Sequence, residues 1–164
     1  MKHIHLLKRH TKNFFSFLFL FLFFFFNLSA QTQKDTSTVK KQIMLLNQQM
    51  EDAFNNNDMN KVANFYSNDG EIVYDNYTVK GRTNPDKYWL DLKDKGRGWK
   101  LSVVEIGGQA EFVYQLGKSD LKYINHQGKE ANSITNFVLL WRKQDDGTYK
   151  IFRDYLTKTK FEKN

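Results

Sequence analysis

The sequence predicts an α+β fold in which three helices precede the long strands of a curved antiparallel sheet. Apolar residues recur at helical spacing in much of the chain before residue 95, and alternating apolar and polar residues fill most of the chain after it. Turns that contain Gly separate several of the alternating segments. Helices that gather before a run of antiparallel strands pack on one face of the sheet that those strands form.

The first 30 residues have the three segments of a secretory signal peptide. A basic start without acids leads into the apolar run Phe14–Phe26, which holds nine of the 15 Phe residues, and small residues end the segment at Ala30. This order predicts cleavage after Ala30 and a secreted or periplasmic protein. The alternative is an uncleaved membrane anchor. A helix over the apolar run would extend about 20 Å, which is short of the roughly 30 Å of a bilayer core.

The composition narrows the classes of partner and cofactor. Four of the 25 Lys and Arg residues precede Asn13, so the net charge of +7 overstates how basic the domain is, and no basic cluster remains that favours nucleic acid. The chain has no Cys and no metal-ligand spacing. We expect a flexible tail over residues 31–37 and a domain over 38–160, with no metal or cofactor and no membrane anchor once the leader is cleaved.

Capping residues and periodicity predict the helices. The first begins at Ser37 or Thr38 and ends near residue 57, Asp58 caps a second over Met59–Tyr66, and a third begins at Thr83. The first helix has one apolar face, formed by Val39, Ile43, Leu46, Met50, Ala53 and Phe54.

Two short strands and four long ones complete the predicted domain. The short strands cover residues 71–74 and 77–80, around Asp75. The long ones begin with the alternation of Trp99, Leu101 and Val103, and hairpin turns lie at 126–129 and 145–147. The other long strands cover residues 110–125 with a break near Gly117, 133–143 and 148–158.

Two groups of residues carry a family resemblance. The first combines Ala53–Asp58 with Val62, Tyr66, Asn68, Asp69, Ile72 and Val73, and the second combines Trp141–Lys143, Asp146–Ile151 and Asp154–Thr157. Together they resemble the nuclear-transport-factor-2-like superfamily, in particular its SnoaL-like and domain-of-unknown-function members, over about residues 39–158. The resemblance implies a cone-shaped sheet wrapped around the helices, with a pocket at the wide end, and a homodimer as one form of assembly.

The superfamily includes isomerases, dehydratases, cyclases and hydrolases, so its fold does not define a reaction. A ketosteroid-isomerase site needs an oxyanion Tyr, a carboxylate base and a protonated Asp. The corresponding positions hold Met50, Tyr74 and no acid between residues 133 and 143. Where the family often has Asp-His, this chain has Asp154 and Tyr155, which removes the side chain best suited to proton transfer. These residues argue against an isomerase mechanism and against a dehydratase that uses a His–Asp pair.

Two acids are candidates for acid–base catalysis. Strict alternation in the last strand places Asp154 on one face with Phe152 and Leu156, where apolar neighbours would raise its pKa. The alternative is a structural carboxylate bonded to backbone amides. Asp75 follows Tyr74, so it would enter the pocket only if the strand register slipped by one residue.

Polar and aromatic residues are candidates for ligand binding. The same alternation places Arg153 and Tyr155 with Ile151, and an inward Arg153 would bind a carboxylate, although an outward Arg153 is favoured because charges are seldom buried. Asn136 is a candidate donor, with pairing along the sheet as its alternative. The aromatic candidates for pocket lining are Tyr66, Tyr74, Trp89 and Trp99.

Three functional hypotheses remain open. The first is a secreted or periplasmic domain that binds a small apolar or amphipathic molecule without catalysis. The second is a small isomerase, dehydratase or hydrolase with one carboxylate acid–base and tyrosine helpers. The third is a module whose outer sheet face forms a homodimer or docks another protein. An inward carboxylate within hydrogen-bond distance of a tyrosine in an open pocket would favour the second.

Overall fold

The computed structural model describes residues 37–74, 78–80 and 83–157. The chain divides into two units, Met1–Thr38 and Val39–Asn164, and nearly all described residues belong to the second. The predicted leader and Asp75 lie outside the described residues. Within the described part of the chain, no helix is both long enough and apolar enough to cross a membrane.

In the part of the chain that the structure describes, three helices pack against the sheet: α1 (residues 37–55), α2 (Met59–Ala63) and α3 (Thr83–Leu90). The apolar face of α1 is buried at Ile43, Met50 and Phe54, as its spacing predicts. Asp58 caps α2 by accepting a hydrogen bond from the Lys61 backbone N–H at 3.0 Å. The predicted second helix is three residues too long, because Tyr66 already belongs to the first strand.

The described residues form six strands, which make one mixed sheet in the order β2-β1-β6-β5-β4-β3. All neighbouring strands are antiparallel except β1 and β6, which are parallel. The sheet curves around the helices, which confirms the predicted α+β cone. The strands are β1 (Tyr66–Val73), β2 (Thr78–Lys80), β3 (Gly96–Gln109), β4 (Phe112–Ile124), β5 (Glu130–Lys143) and β6 (Tyr149–Thr157).

The observed strands correct two details of the prediction. β1 begins at Tyr66 rather than Glu71, and the expected turn before Glu71 is an irregular stretch of this strand. β4 runs without a break through Gly117, where an added Cβ would meet the Phe137 ring. Gly117 therefore permits close packing inside the cone and does not end the strand.

A one-residue bulge changes the alternation in β6. Ile151 pairs with Trp141, but the next pair is Arg153 with Leu140, so Phe152 is an extra residue. Ile151 and Asp154 are both buried as a result, although strict alternation would separate them. The bulge thus turns Asp154 to the inner face of the sheet, and it corrects the prediction that Asp154 shares a face with Phe152.

The core also holds a neutral polar cluster made of Asn47, Gln115 and Trp141. The Asn47 amide donates to Gln115 Oε1 at 3.1 Å, and the Gln115 amide donates back to Asn47 Oδ1 at 3.2 Å. Trp141 Nε1 donates to Gln115 Oε1 at 3.0 Å. This amide cluster links α1 to the middle of the sheet by hydrogen bonds among its own three members.

Candidate functional site

An inner cavity of about 50 Å³ lies between the helices and the concave face of the sheet. Aromatic and aliphatic side chains form most of its wall, and one carboxylate, two serines and one threonine interrupt it. The lining residues are Met50, Tyr66, Tyr74, Tyr88, Trp89, Trp99, Leu101, Ser119, Leu121, Ser133, Thr135, Phe137, Leu139, Asp154 and Leu156. A mostly apolar concave wall with a few convergent polar groups is typical of small-molecule sites.

Asp154 and Tyr66 form a buried acid pair in this wall. The Tyr66 hydroxyl donates to Asp154 Oδ2 at 2.6 Å. Asp154 is 6% exposed and Tyr66 is 1% exposed. Asp154 Oδ1 is also buried, and it has no hydrogen-bond partner among the described residues. The acid pair therefore has capacity for one further hydrogen bond beside the inner cavity.

The fold brings these two side chains together from distant parts of the sequence. Tyr66 opens β1 opposite Ile151, and Asp154 lies farther along β6 between Ile72 and Leu139. The bulge at Phe152 gives Asp154 the same inward direction as Ile151. Because both residues lie on neighbouring strands and face inward, the tyrosine hydroxyl reaches the carboxylate.

Burial controls the protonation of the acid pair. Desolvation raises the pKa of Asp154 to about 6, and the hydrogen bond from Tyr66 offsets only part of that rise. Desolvation, the charge of Asp154 and the hydrogen bond to it raise the pKa of Tyr66 well above its usual value near 10. Near neutral pH, Tyr66 therefore stays a donor while Asp154 is able to take up or release a proton.

Hydroxyl groups from the inner sheet face add a polar strip to the apolar wall. Ser119 on β4 lies opposite Thr135 on β5, and Ser133 follows one inward position away. Trp99 Nε1 donates to Ser119 Oγ at 2.8 Å. The Trp89 and Trp99 rings pack with their centroids 4.9 Å apart. The cavity thus presents aromatic surface on one side and hydroxyl groups on another.

A second, larger concavity adjoins the inner cavity. This mouth cleft has a volume of about 590 Å³ and shares Tyr74, Tyr88, Leu121 and Ser133 with the inner cavity. The Tyr74 hydroxyl donates to the Tyr88 hydroxyl at 2.8 Å. The remaining lining residues are Asp91, Leu92, Lys95, Tyr123, Ile124, Asn125 and His126.

The structure brings together five of the residues proposed from the sequence. Asp154, Tyr66, Tyr74, Trp89 and Trp99 all line the inner cavity. Sequence reasoning missed the hydroxyl strip, although Ser133 and Thr135 alternate in phase with the buried Phe137, Leu139 and Trp141. Because alternate residues of a strand share one face, this alternation indicated that Ser133 and Thr135 face inward.

Three other proposed ligand-binding residues lie away from the cavity. Arg153 and Tyr155 share the outer face, where Arg153 Nε lies 3.3 Å from Glu71 Oε2 and Tyr155 is 40% exposed. Asn136 alternates with inward Thr135 and Phe137, so it faces outward as well. The outward Arg153 that the sequence analysis favoured is therefore the one observed, whereas Tyr155 and Asn136 are corrected as candidates for the pocket because both face outward.

The described residues contain no group of three or more acids and histidines that would hold a metal ion. The wall itself supplies hydrogen-bonding groups, aromatic surface and a titratable carboxyl group at Asp154.

No protein-family model and no curated protein sequence matches the chain. Solved structures do. A nuclear-transport-factor-2-like protein of unknown function from Shewanella oneidensis superposes with a TM-score of 0.62 at 19% identity, covering 73% of this chain and 98% of that one. A ketosteroid-isomerase-like protein from Erwinia carotovora atroseptica gives 0.61 at 17% identity, covering 74% and 96%.

A third neighbour is a nuclear-transport-factor-2-like superfamily protein from Salmonella enterica, with a TM-score of 0.62 at 10% identity, covering 76% of this chain and 94% of that one. At these identities the similarity lies in the fold. The chain has the cone-shaped α+β fold of the nuclear-transport-factor-2-like superfamily, as the two sequence motifs imply.

Proposed function

We propose that the protein binds a small molecule in the inner cavity and that the acid pair supplies its main polar contact. The observation that carries this proposal is the buried Asp154 Oδ1, which has no hydrogen-bond partner among the described residues. A buried polar atom without a partner costs about 1–3 kcal/mol. A ligand that donates a hydrogen bond to this carboxylate would remove that cost.

The size of the cavity limits what reaches Asp154. A volume of about 50 Å³ admits a few water-sized groups. The part of the ligand that enters is therefore narrow, such as a hydroxyl or amino group on a short apolar stem. The surrounding aromatic side chains favour an apolar stem, which supports the apolar or amphipathic ligand expected from the sequence.

The test is a screen of small alcohols, amines and carbonyl compounds against the purified protein, followed by tryptophan fluorescence because Trp89 and Trp99 line the cavity. In Asp154→Asn, the amide oxygen still accepts from Tyr66 and an N–H₂ donor replaces the second oxygen. We expect ligands that donate hydrogen bonds to weaken about tenfold, and ligands that accept them to gain affinity.

The matched control is Asp120→Asn, which changes an acid on the outer face of β4. It should leave every affinity unchanged. Equal binding by wild type and Asp154→Asn across all the ligands found would refute the proposed site.

Acid–base catalysis is a second candidate function, and the pKa of Asp154 favours it. A carboxyl group with a pKa of about 6 both gives and accepts protons near neutral pH. Catalysis by this group would give a kcat/KM profile with an apparent pKa near 6 that disappears in Asp154→Asn. Recovery of the bound ligand unchanged after long incubation would leave binding as the function.

We also propose export and self-association. The leader supports a secreted or periplasmic location, and a mature N-terminus at Gln31 in mass spectra of the exported protein tests it; an intact leader would contradict it. The homodimer is supported by exposed apolar side chains on the outer sheet face, including Phe112, Ile134 and Tyr155. Sedimentation of the purified protein as a monomer at micromolar concentration would contradict the homodimer.

A further inference from the structure

The two concavities differ greatly in volume. The inner cavity of about 50 Å³ accepts only the tip of a ligand, whereas the mouth cleft of about 590 Å³ accepts a body of ordinary small-molecule size. Both are lined by Tyr74, Tyr88, Leu121 and Ser133, so a molecule lying in the cleft has its inner end beside the cavity. Their volumes and shared wall suggest one binding site with two parts.

Apolar side chains give the mouth cleft a surface for the body of a ligand. The cleft is lined by Leu92 from the turn after α3, by Ile124 from β4 and by the rings of Tyr88 and Tyr123. These side chains are half-buried, so a bound apolar chain would remove further surface from water. The cleft thus favours an apolar body over a fully polar one.

The charges at the rim of the mouth cleft favour an anion. Lys95 and His126 are both exposed there, and the only acid that lines the cleft among the described residues is Asp91. Asp91 Oδ2 is already paired with Lys87 Nζ at 2.7 Å. The local balance is therefore positive, with an ammonium group and an imidazole available as donors.

Backbone hydrogen bonds hold Lys95 and His126 at the same rim. The Lys95 backbone N–H donates to the Leu92 carbonyl at 3.0 Å, and the Lys95 carbonyl accepts from the Ile124 N–H at 2.8 Å. His126 follows Ile124 by two residues in the hairpin turn, where Asn125 accepts from the Lys129 N–H. The rim is therefore anchored to the sheet while both side chains stay accessible.

We infer that the mouth cleft and the inner cavity together bind an elongated anionic amphipath. Its anionic end, a carboxylate or a similar group, meets Lys95 and His126. Its apolar body lies in the cleft, and a narrow hydrogen-bond donor at the other end reaches Asp154. This inference rests on the proposed function and extends it by assigning the second half of the ligand.

The experiment uses three probes of equal chain length: an ω-hydroxyalkanoate, the corresponding alkanediol and the corresponding alkanoate. Their affinities are measured by titration calorimetry over a series of chain lengths. Because exposed ion pairs contribute up to about 1 kcal/mol each, we expect the hydroxyalkanoate to bind about three- to tenfold more tightly than the diol. The advantage should shrink in high salt.

Two variants separate the ends of the ligand. Lys95→Gln combined with His126→Gln should abolish the preference for the hydroxyalkanoate over the diol. Lys118→Gln, which removes an exposed charge from the outer face of β4, should retain it. Asp154→Leu, which removes both carboxylate oxygens and adds no donor, should instead abolish the preference for the hydroxyalkanoate over the alkanoate.

The outcomes distinguish this inference from the proposed function. If the diol binds as tightly as the hydroxyalkanoate, or the double variant keeps the preference, the anionic subsite is refuted while dependence on Asp154 still stands. If the hydroxyalkanoate binds no more tightly than the alkanoate, or if Asp154→Leu keeps that preference, the proposed function fails for this ligand class. If none of the probes binds at any length, both are refuted for it.

Discussion

The core contains two buried polar clusters that differ in whether their polar atoms find hydrogen-bond partners within the cluster. The amide cluster of Asn47, Gln115 and Trp141 is neutral, and its members bond to one another. The acid pair of Asp154 and Tyr66 is titratable and retains an oxygen without a partner among the described residues. Both clusters are almost fully buried, so burial alone does not distinguish their roles.

Their surroundings account for the difference. The acid pair lines the inner cavity, whereas no member of the amide cluster lines either the inner cavity or the mouth cleft. A closed polar network stabilises one packing arrangement of the core. A buried polar atom without a hydrogen-bond partner lowers the stability of the fold. When it lies beside a cavity, a ligand that supplies the missing hydrogen bond gains affinity from it. We therefore assign the amide cluster to structure and the acid pair to binding.

The largest expected effect comes from opening the amide cluster. Gln115→Leu keeps a similar volume but leaves the Asn47 amide and the Trp141 N–H without their shared partner. We expect the free energy of unfolding to fall by about 4 kcal/mol, since each unpaired buried group costs about 1–3 kcal/mol. Urea unfolding measures it, and Gln127→Leu in an exposed turn is the control. A loss no larger than that of the control would mean that the amide cluster is not structural.

The second effect is a dependence of stability on pH to which the acid pair should contribute and the neutral amide cluster should not. The folded pKa of Asp154 is raised from 3.8 to about 6, so the native state holds a proton that the unfolded state has lost. Stability therefore falls as pH rises through this window, by about 3 kcal/mol in total.

The measurement compares unfolding of the wild type and Asp154→Asn across that window, because other carboxyl groups also titrate there. The hydrogen bond from Arg142 lowers the pKa of Asp69, so the contribution of Asp69 acts in the opposite direction and falls below this window. The difference between the two proteins should show the fall. If the stability of wild type and Asp154→Asn changed with pH in the same way, the titration of Asp154 would not contribute to stability.

The smallest expected effect shows what the Tyr66 hydroxyl contributes to the acid pair. Tyr66→Phe removes the hydrogen bond that lowers the pKa of Asp154, so that pKa should rise further above its ordinary value. Stability should fall by about 1–2 kcal/mol. Carboxyl ¹³C shifts during a pH titration report the pKa directly. Tyr114→Phe is the matched control because its hydroxyl bonds to Glu105 on the outer face, and an unchanged Asp154 titration in Tyr66→Phe would contradict the pairing.

The sequence predicted those features that depend on local spacing. The apolar face of α1 and the turns before β5 and β6 follow from residues within a few positions of one another. The inward direction of Asp154 does not, because the bulge at Phe152 is defined by the pairing of β6 with β5. Strict alternation correctly placed Asp154 and Arg153 on opposite faces of the sheet. It wrongly placed Ile151 on the face of Arg153, whereas Ile151 faces inward with Asp154.

The site required contacts across longer separations. Tyr66 was expected at the end of a helix, where its hydroxyl had no evident partner, but it opens a strand beside β6. The hydroxyl strip and the mouth cleft likewise arise where β4, β5 and the end of α3 meet. Residue types and periodicity identified the acid and the aromatic side chains, whereas only the packing of distant elements showed which of them share one cavity.

The bulge at Phe152 has a consequence for comparisons between related sequences. Its extra residue faces outward, where the Phe152 ring lies 5.1 Å from the Arg142 guanidinium and 5.4 Å from that of Arg153. A relative that lacks one residue at this point would keep its inward carboxylate by regular alternation. An alignment that forbids a gap there would pair Asp154 with an outward residue and conceal a shared acid. Equivalence in this strand should therefore be assigned separately on each side of Phe152.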